Sequence, residues 1–141
     1  MKRTGLTAPK GQILIHLKSL ANFDELFMDK NFHEWFKVAF SSGLLGFDNI
    51  DVYNLVESRR ATLKVLVGRC WSEIISEANN NINSNAHGVV IGALVPLGYE
   101  VHDIKTILEQ LAEHMNPDAQ ILFQAVRHKK KQIRMYCLEI E

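Results

Sequence analysis

Apolar residues recur at helical spacing in three separate parts of the chain. The clearest stripe lies in residues 31–40, where the apolar positions follow the i, i+3, i+4, i+7 spacing of one helix face. Its members are Phe32, Trp35, Phe36, Ala39 and Phe40. The same period predicts a second helix over residues 69–82 and a third over residues 101–115. We expect the aromatic stripe to pack in the core, because aromatic side chains dominate core burial.

Short apolar runs between these helices predict β-strands at residues 61–67, 88–95, 119–126 and 132–140. Residues 12–17 also favour a short strand, although a helix start fits the same pattern. The strand–helix–strand–helix–strand order predicts parallel pairs with crossover helices. The short turn at residues 128–131 predicts an antiparallel hairpin between the last two strands. The expected fold class is therefore α/β (α+β), with helices packed on a mixed sheet of four to five strands.

Length and charge narrow the class of protein. A chain of 141 residues is the size of one domain. Lys+Arg and Asp+Glu both total 16, so the net charge is zero, which argues against a nucleic-acid partner. No apolar run approaches the roughly 20 residues that span a bilayer, and no signal-peptide pattern follows Lys2 and Arg3. We expect a cytoplasmic protein with no membrane partner.

Residues that could carry chemistry are sparse. Neither glycine-rich phosphate-binding pattern, GxGxxG or GxxxxGK[ST], occurs in the sequence. The six histidines show no HExxH spacing, and no local motif indicates a catalytic triad. Cys70 and Cys137 lie outside any CxxC pair, and we expect Cys70 to be a buried, reduced thiol. The sequence thus predicts no metal site, no cofactor and no catalytic residue.

One polar segment, residues 48–54, allows two interpretations. It carries Asp48, Asn49, Asp51 and Asn54. In the first interpretation Asp51 caps a helix that begins at Val52, its carboxylate accepting from free backbone N–H groups. In the second, the segment is a polar loop presented to a partner. The residue pattern alone leaves both open.

With its neighbours, this segment resembles the C-terminal activating domain of FtsZ, the bacterial tubulin homologue that polymerises for cell division. "NIDVYN", residues 49–54, resembles the family's NxDxxD synergy loop, and Gly68 falls where a family strand ends. "AHGVV", residues 86–90, resembles its A-x-G-V strand start. "PDAQILFQA", residues 117–125, resembles P-D-A-N-I-I-F-G-A. The resemblance implies a two-layer sandwich over residues 47–141, preceded at residues 1–46 by a lead-in, a short strand and a linking helix.

The resemblance also implies a function. In FtsZ the synergy loop of one subunit reaches the GTP of the next, and its acidic residues help to activate water. Asp51 occupies the first acidic position, but Asn54 replaces the second, and residues 1–46 leave no room for a GTP-binding domain. We therefore expect a non-catalytic interaction module, without cofactor, that contacts a partner through Asn49, Asp51 and Asn54. That partner would be an FtsZ- or tubulin-like protein, or a second copy in an oligomer.

Two alternatives remain open. The domain could complete a GTPase site in trans on a partner, with Asp51 orienting water. It could instead sense a small ligand in an apolar pocket beside the sheet, because a fold does not determine a function.

Overall fold

The computed structural model describes residues 10–43 and 46–141, and most of the predicted lead-in lies outside these residues. Its helices are α1 (Lys10–Leu17), α2 (Phe23–Phe27), α3 (Lys30–Ala39), α4 (Asn49–Val56), α5 (Trp71–Asn81) and α6 (Val101–His114). Its strands are β1 (Ala61–Gly68), β2 (Gly88–Pro96), β3 (Gln120–His128) and β4 (Ile133–Ile140). The helices and strands predicted downstream of residue 60 are all present, with ends shifted by a few residues.

The four strands form one mixed sheet in the order β1-β4-β2-β3. β2 and β3 pair in parallel, whereas β4 lies antiparallel between β1 and β2, with Ile140 opposite both Ala61 and Gly88. The predicted fold class, a mixed sheet with helices packed on it, is confirmed.

The predicted hairpin of the last two strands is wrong, because β2 separates β3 from β4. Both faces of β4 are apolar and buried: Met135 and Cys137 point to one core, and Tyr136 and Leu138 to the other. A strand that is buried on both faces belongs in the middle of a sheet rather than at its edge. The short β3–β4 connection therefore crosses over β2 instead of closing a tight pair.

Helices cover both faces of the sheet. α5 and α6 bury one face with residues such as Ile74 and Ile104, which gives the predicted two layers. Side chains of α1 to α4 pack on the opposite face around Trp35 and Leu55, and they add a third layer. The N-terminal helices are thus part of the same core as the sheet.

α3 lies directly against the central strand β2. The indole Nε1 of Trp35 donates to the buried carbonyl of Val90 at 2.8 Å, so the helix is tied to the sheet by a polar contact as well as by packing. A Cβ at Gly92 would lie 2.8 Å from the backbone nitrogen of Ala39. Glycine is therefore needed at position 92, because it allows the helix backbone to approach the strand this closely.

Residues 12–17, predicted as a short strand, belong instead to the helix α1. Ile13, Leu17 and Leu20 are buried, whereas Ile15 is 65% exposed. A strand would place residues 13, 15 and 17 on one face, whereas a helix separates the middle one from the other two. Helical burial of the i, i+4, i+7 positions decides the structure of this segment.

Candidate functional site

The residues predicted to contact a partner all lie in α4, which begins at Asn49 rather than at Val52. The helix is capped from Asp48, whose carbonyl accepts from the backbone N–H of Asp51 at 3.1 Å, and no side chain makes the capping bond. The predicted capping role of Asp51 is therefore wrong. Its carboxylate lies in the first turn of the helix, where the helix dipole favours a negative charge.

The exposed side of α4 presents a small mixed surface. Val52, Leu55 and Val56 bury the inner side of the helix. Asn54 is exposed, Asp51 is half-buried, and the side chain of Asn49 lies outside the described residues. Ile50 is 54% exposed and lies one helical turn from Asn54. We call Ile50, Asp51 and Asn54 the α4 surface.

Sequence reasoning did not predict Ile50 as part of this surface. Once the helix is taken to begin at Asn49, Ile50 falls outside the buried stripe of Val52, Leu55 and Val56. An apolar residue off the stripe was the available signal. It was missed because the helix start was placed three residues too late.

Tyr53 fixes α4 next to this surface. Its hydroxyl donates to Oε2 of Glu57 at 2.6 Å, and its ring lies 5.0 Å from the ring of His16 on α1. The hydrogen bond to Glu57, followed by the negative charge of that carboxylate, raises the pKa of Tyr53. The ring contact with His16 links α4 to α1, whereas the hydrogen bond joins Tyr53 to a residue one turn further along.

Gln124 positions the segment that leads into α4. The resemblance places glycine at this position, but the Gln124 side chain is 3% exposed and fully engaged. Its Nε2 donates to the carbonyl of Ser41 at 2.9 Å, and its Oε1 accepts from the N–H of Ala125 at 3.0 Å. Gly43 packs so closely on the carbonyl of Ala125 that a Cβ would overlap it. The chain after α3 is thereby held against β3.

The polar residues outside α4 mostly bind backbone. His33, His114 and His128 lie within hydrogen-bond distance of the carbonyls of Phe27, Ile82 and Gln132. Within residues 10–43 and 46–141, no group of three His, Cys, Asp or Glu side chains is placed to hold a metal ion. Lys129 to Lys131, at the β3–β4 connection, are exposed.

The prediction that Cys70 is buried is wrong. Cys70 precedes the first residue of α5 and is exposed, whereas Cys137 on β4 is buried. The Sγ of Cys70 lies 3.1 Å from Oγ of Ser72, and this contact is the main cause that lowers the pKa of the thiol. Burial raises the pKa of Cys137 instead. The helical period assigned Cys70 to the buried face, but the helix begins after it.

A wide cleft of about 730 Å³ lies between α5 and α6. Its lining is mostly polar, and includes Ser76, Asn79, Gln110 and Glu113. It is therefore unlike the apolar pocket beside the sheet that a ligand-sensing domain would use.

Comparison with known proteins supports the fold. No family model and no curated protein matches the sequence. Among solved structures, an empty FtsZ dimer from M. jannaschii matches with a TM-score of 0.66 at 16% identity, covering 75% of this chain and 34% of that one. CetZ from Methanosaeta thermophila matches with a TM-score of 0.57 at 15% identity, covering 96% and 40%.

A third match is a GTPγS-form protofilament of Bacillus thuringiensis serovar israelensis TubZ, with a TM-score of 0.51, 12% identity and coverage of 71% and 29%. These identities show the fold alone. The fold is that of tubulin/FtsZ superfamily structures, and the mixed sheet matches the FtsZ C-terminal domain. The chain spans well under half the length of each of these neighbours.

None of the helices in the described part of the chain is both long enough and apolar enough to span a bilayer.

Proposed function

We propose that this protein is a non-catalytic interaction and assembly module that docks through its α4 surface onto an FtsZ- or tubulin-like partner, or onto a second copy. The fold supports a relation to proteins that assemble: one structural neighbour is an FtsZ dimer and another is a TubZ protofilament. The resemblance of residues 49–54 to a synergy loop locates the docking surface on α4.

The observation that carries the proposal is the composition of the α4 surface. Ile50 is an exposed aliphatic side chain, and it is flanked by the half-buried Asp51 and the exposed Asn54. An apolar centre with a polar rim is the arrangement found at protein–protein interfaces. Buried Val52, Leu55 and Val56 fix α4 against the core, and Gln124 holds the chain after α3, so the surface is presented on a fixed support.

The same residues argue against catalysis. Water activation needs a placed carboxylate, and the second acidic position of the resembled loop is Asn54, whose amide cannot accept a proton as a base. Asp51 alone lies in the first helical turn, where its charge also stabilises the helix.

The proposal is tested by co-sedimentation with GTP-assembled filaments of M. jannaschii FtsZ. We expect the protein to pellet with the filaments, and Ile50→Glu to weaken this binding at least about tenfold because it places a charge at the centre of the contact. Asp51→Ala should weaken it less. Leu97→Glu is the matched control. Leu97 is also exposed, but it follows the last residue of β2 and is not part of the α4 surface.

Equal binding by the Ile50→Glu and Leu97→Glu variants would contradict docking through α4. GTP turnover, measured in the same mixtures, separates the trans-acting GTPase alternative. We expect turnover per filament subunit to be unchanged by the protein. Stimulated turnover that disappears with Asp51→Asn would replace the proposal with that alternative.

A further inference from the structure

Several backbone N–H and carbonyl groups of the edge strand β1 have no hydrogen-bond partner among the described residues. At Ala61 the N–H and carbonyl bind the side chain of Asn22 at 3.0 and 2.8 Å, so they point away from β4. Antiparallel strands alternate such groups from one residue to the next. The backbone N–H and carbonyl groups of Leu63, Val65 and Val67 therefore also point outward, away from β4. No hydrogen-bond partner for these groups lies within residues 10–43 and 46–141.

The usual protections of a sheet edge are missing from β1. Natural edges are blunted by bulges, prolines or outward charges. Residues 62–68 contain no proline and pair with β4 without a bulge. Their one charged residue, Lys64, is turned back over the sheet, where its Nζ binds the carbonyl of Asn81 and lies 3.3 Å from the carboxylate of Glu139.

The opposite edge strand, β3, is also covered at one residue. On β3 the N–H of Ala125 is taken by the Gln124 side chain, and Gly43 packs against the carbonyl of Ala125. Within the described residues the backbone groups of the two edge strands are therefore covered at Ala125 on β3 and at Ala61 on β1, and residues 62–68 of β1 stay open.

We propose that β1 pairs antiparallel with β1 of a second copy about a two-fold axis at Val65, which joins two four-stranded sheets into one. Val65 is the middle of the stretch left free beyond the Asn22 contact. In this register Val65 lies opposite the second copy's Val65, and Leu63 lies opposite its Val67. All three positions carry outward-facing groups, so about six backbone hydrogen bonds form.

The side chains make a second copy the fitting occupant. Leu63 and Val65 are half-buried and Val67 is 41% exposed, and all three lie on the face of the sheet that α2 and α3 cover. Antiparallel pairing about Val65 places this apolar row beside its own copy and buries both. The net charge of zero adds little repulsion between copies.

Charge complementarity points to the same register. A two-fold axis at Val65 places Arg69 of one copy opposite Ala61 of the other. Beside Ala61 is a cleft of about 280 Å³ whose lining includes Glu25, Asp29 and Glu141, with Arg60 as its one basic side chain. The guanidinium of Arg69 forms an exposed ion pair with Glu73 at 3.4 Å, and breaking such a pair costs little free energy. Each copy thus offers a cation to an acidic cleft of the other.

The remaining face of β1 leaves room for the added strand. A cleft of about 350 Å³ runs between residues 64–67 and α5, bounded by Glu77 and Asn81. On this face, space therefore remains between α5 and residues 64–67. This contact is separate from the α4 surface, so it stands or falls independently of the proposed function.

Disulfide trapping tests the register in a Cys70→Ser background, which removes the exposed thiol. We expect Val65→Cys to form a cross-linked dimer readily, because paired residues lie about 5.5 Å apart at Cα, within disulfide range. Leu63→Cys alone should not cross-link, since its copies would be about 13 Å apart along the strands. A mixture of Leu63→Cys and Val67→Cys chains should cross-link.

Analytical ultracentrifugation of the full chain tests the contact itself. We expect a reversible dimer that Val65→Pro weakens at least about tenfold, because its lost N–H faces outward and leaves the β4 ladder intact. Arg69→Glu should weaken the dimer, and adding Glu25→Arg should restore it. Leu97→Glu should leave it unchanged, because Leu97 is exposed and lies on neither surface, and circular dichroism checks that each variant is folded.

A wild-type protein that remains monomeric at about 100 μM would overturn the proposal, since dimers weaker than this resemble incidental contacts. Equal cross-linking of Val65→Cys and Leu63→Cys would also overturn it. So would a β1 edge that is occupied by another segment of the same chain, which would leave Val65→Cys uncross-linked.

Discussion

At the scale of single residues, the two tryptophans show how differently one side chain type can be used. The indole N–H of Trp35 binds the carbonyl of Val90 in the core. The indole N–H of Trp71 is shielded from solvent, and no residue in the described part of the chain accepts it. Its ring instead packs edge-on at 5.5 Å from Tyr99. One indole nitrogen is satisfied, and the other contributes only a desolvation cost.

We therefore predict that Trp35→Phe lowers the free energy of unfolding by about 2–3 kcal/mol, because it removes a buried hydrogen bond and core volume. Trp71→Phe should change it by less than about 1 kcal/mol, since it also removes an unpaired polar group. Urea denaturation followed by circular dichroism measures both. Equal losses for the two variants would show that ring volume, not the hydrogen bond, sets the effect.

Cys70 gives a prediction on pH. Its lowered pKa means that the thiolate forms at a lower pH than in an ordinary cysteine, whose pKa is about 8.5. We expect the rate of alkylation by iodoacetamide to rise with pH and to reach its half-maximum at a lower pH than for the same thiol in the denatured chain. Ser72→Ala should move the midpoint upward, because it removes the main hydrogen bond to the sulfur. In the folded protein Cys137 should not react, and alkylation of both thiols would contradict its burial.

At the scale of elements, α3 approaches β2 so closely that there is no room for a side chain on the strand at position 92. A Cβ at Gly92 meets the backbone of Ala39 at 2.8 Å, whereas a Cβ at Gly98 meets nothing within 4 Å. We predict that Gly92→Ala lowers the free energy of unfolding by about 1–3 kcal/mol, because backbone must move. Gly98→Ala, the matched control, should change it by no more than about 1 kcal/mol. Thermal unfolding measures both, and two equal effects would contradict the close helix–strand contact.

Element type was predictable where one period was unambiguous. The stripes of α3, α5 and α6 and the unbroken apolar run of β2 predicted these elements correctly. The prediction for α1 was wrong, because six residues of which four are apolar fit both the strand and the helix period. The burial of Ile13 and Leu17 distinguishes the two. The start of α4 could not be placed from residue type, because Asp48 and Asp51 are both residues favoured at a helix N-cap, and the helix begins after the first of them.

At the scale of the whole molecule, the candidate site could be located but not shaped from the sequence. The resemblance pointed to residues 49–54, and these do lie on one short helix with Asn54 exposed. The exposure of Ile50 and the anchoring by Gln124 depend on contacts between residues far apart in the chain. Strand order is equally non-local. The neighbouring position of β1 and β4, and with it the open edge, had no signal in the order of elements.

The position of β4 has a consequence for how the protein comes into being. This strand is the last of the four to leave the ribosome, yet it is the one to which β1 is joined in the ladder, and it also closes on β2. Until β4 emerges, β1 has no strand to pair with, and it cannot join the sheet that contains β2 and β3. Assembly of the sheet therefore waits for synthesis of its final strand, and a nascent chain shows its unpaired strands to chaperones throughout that interval.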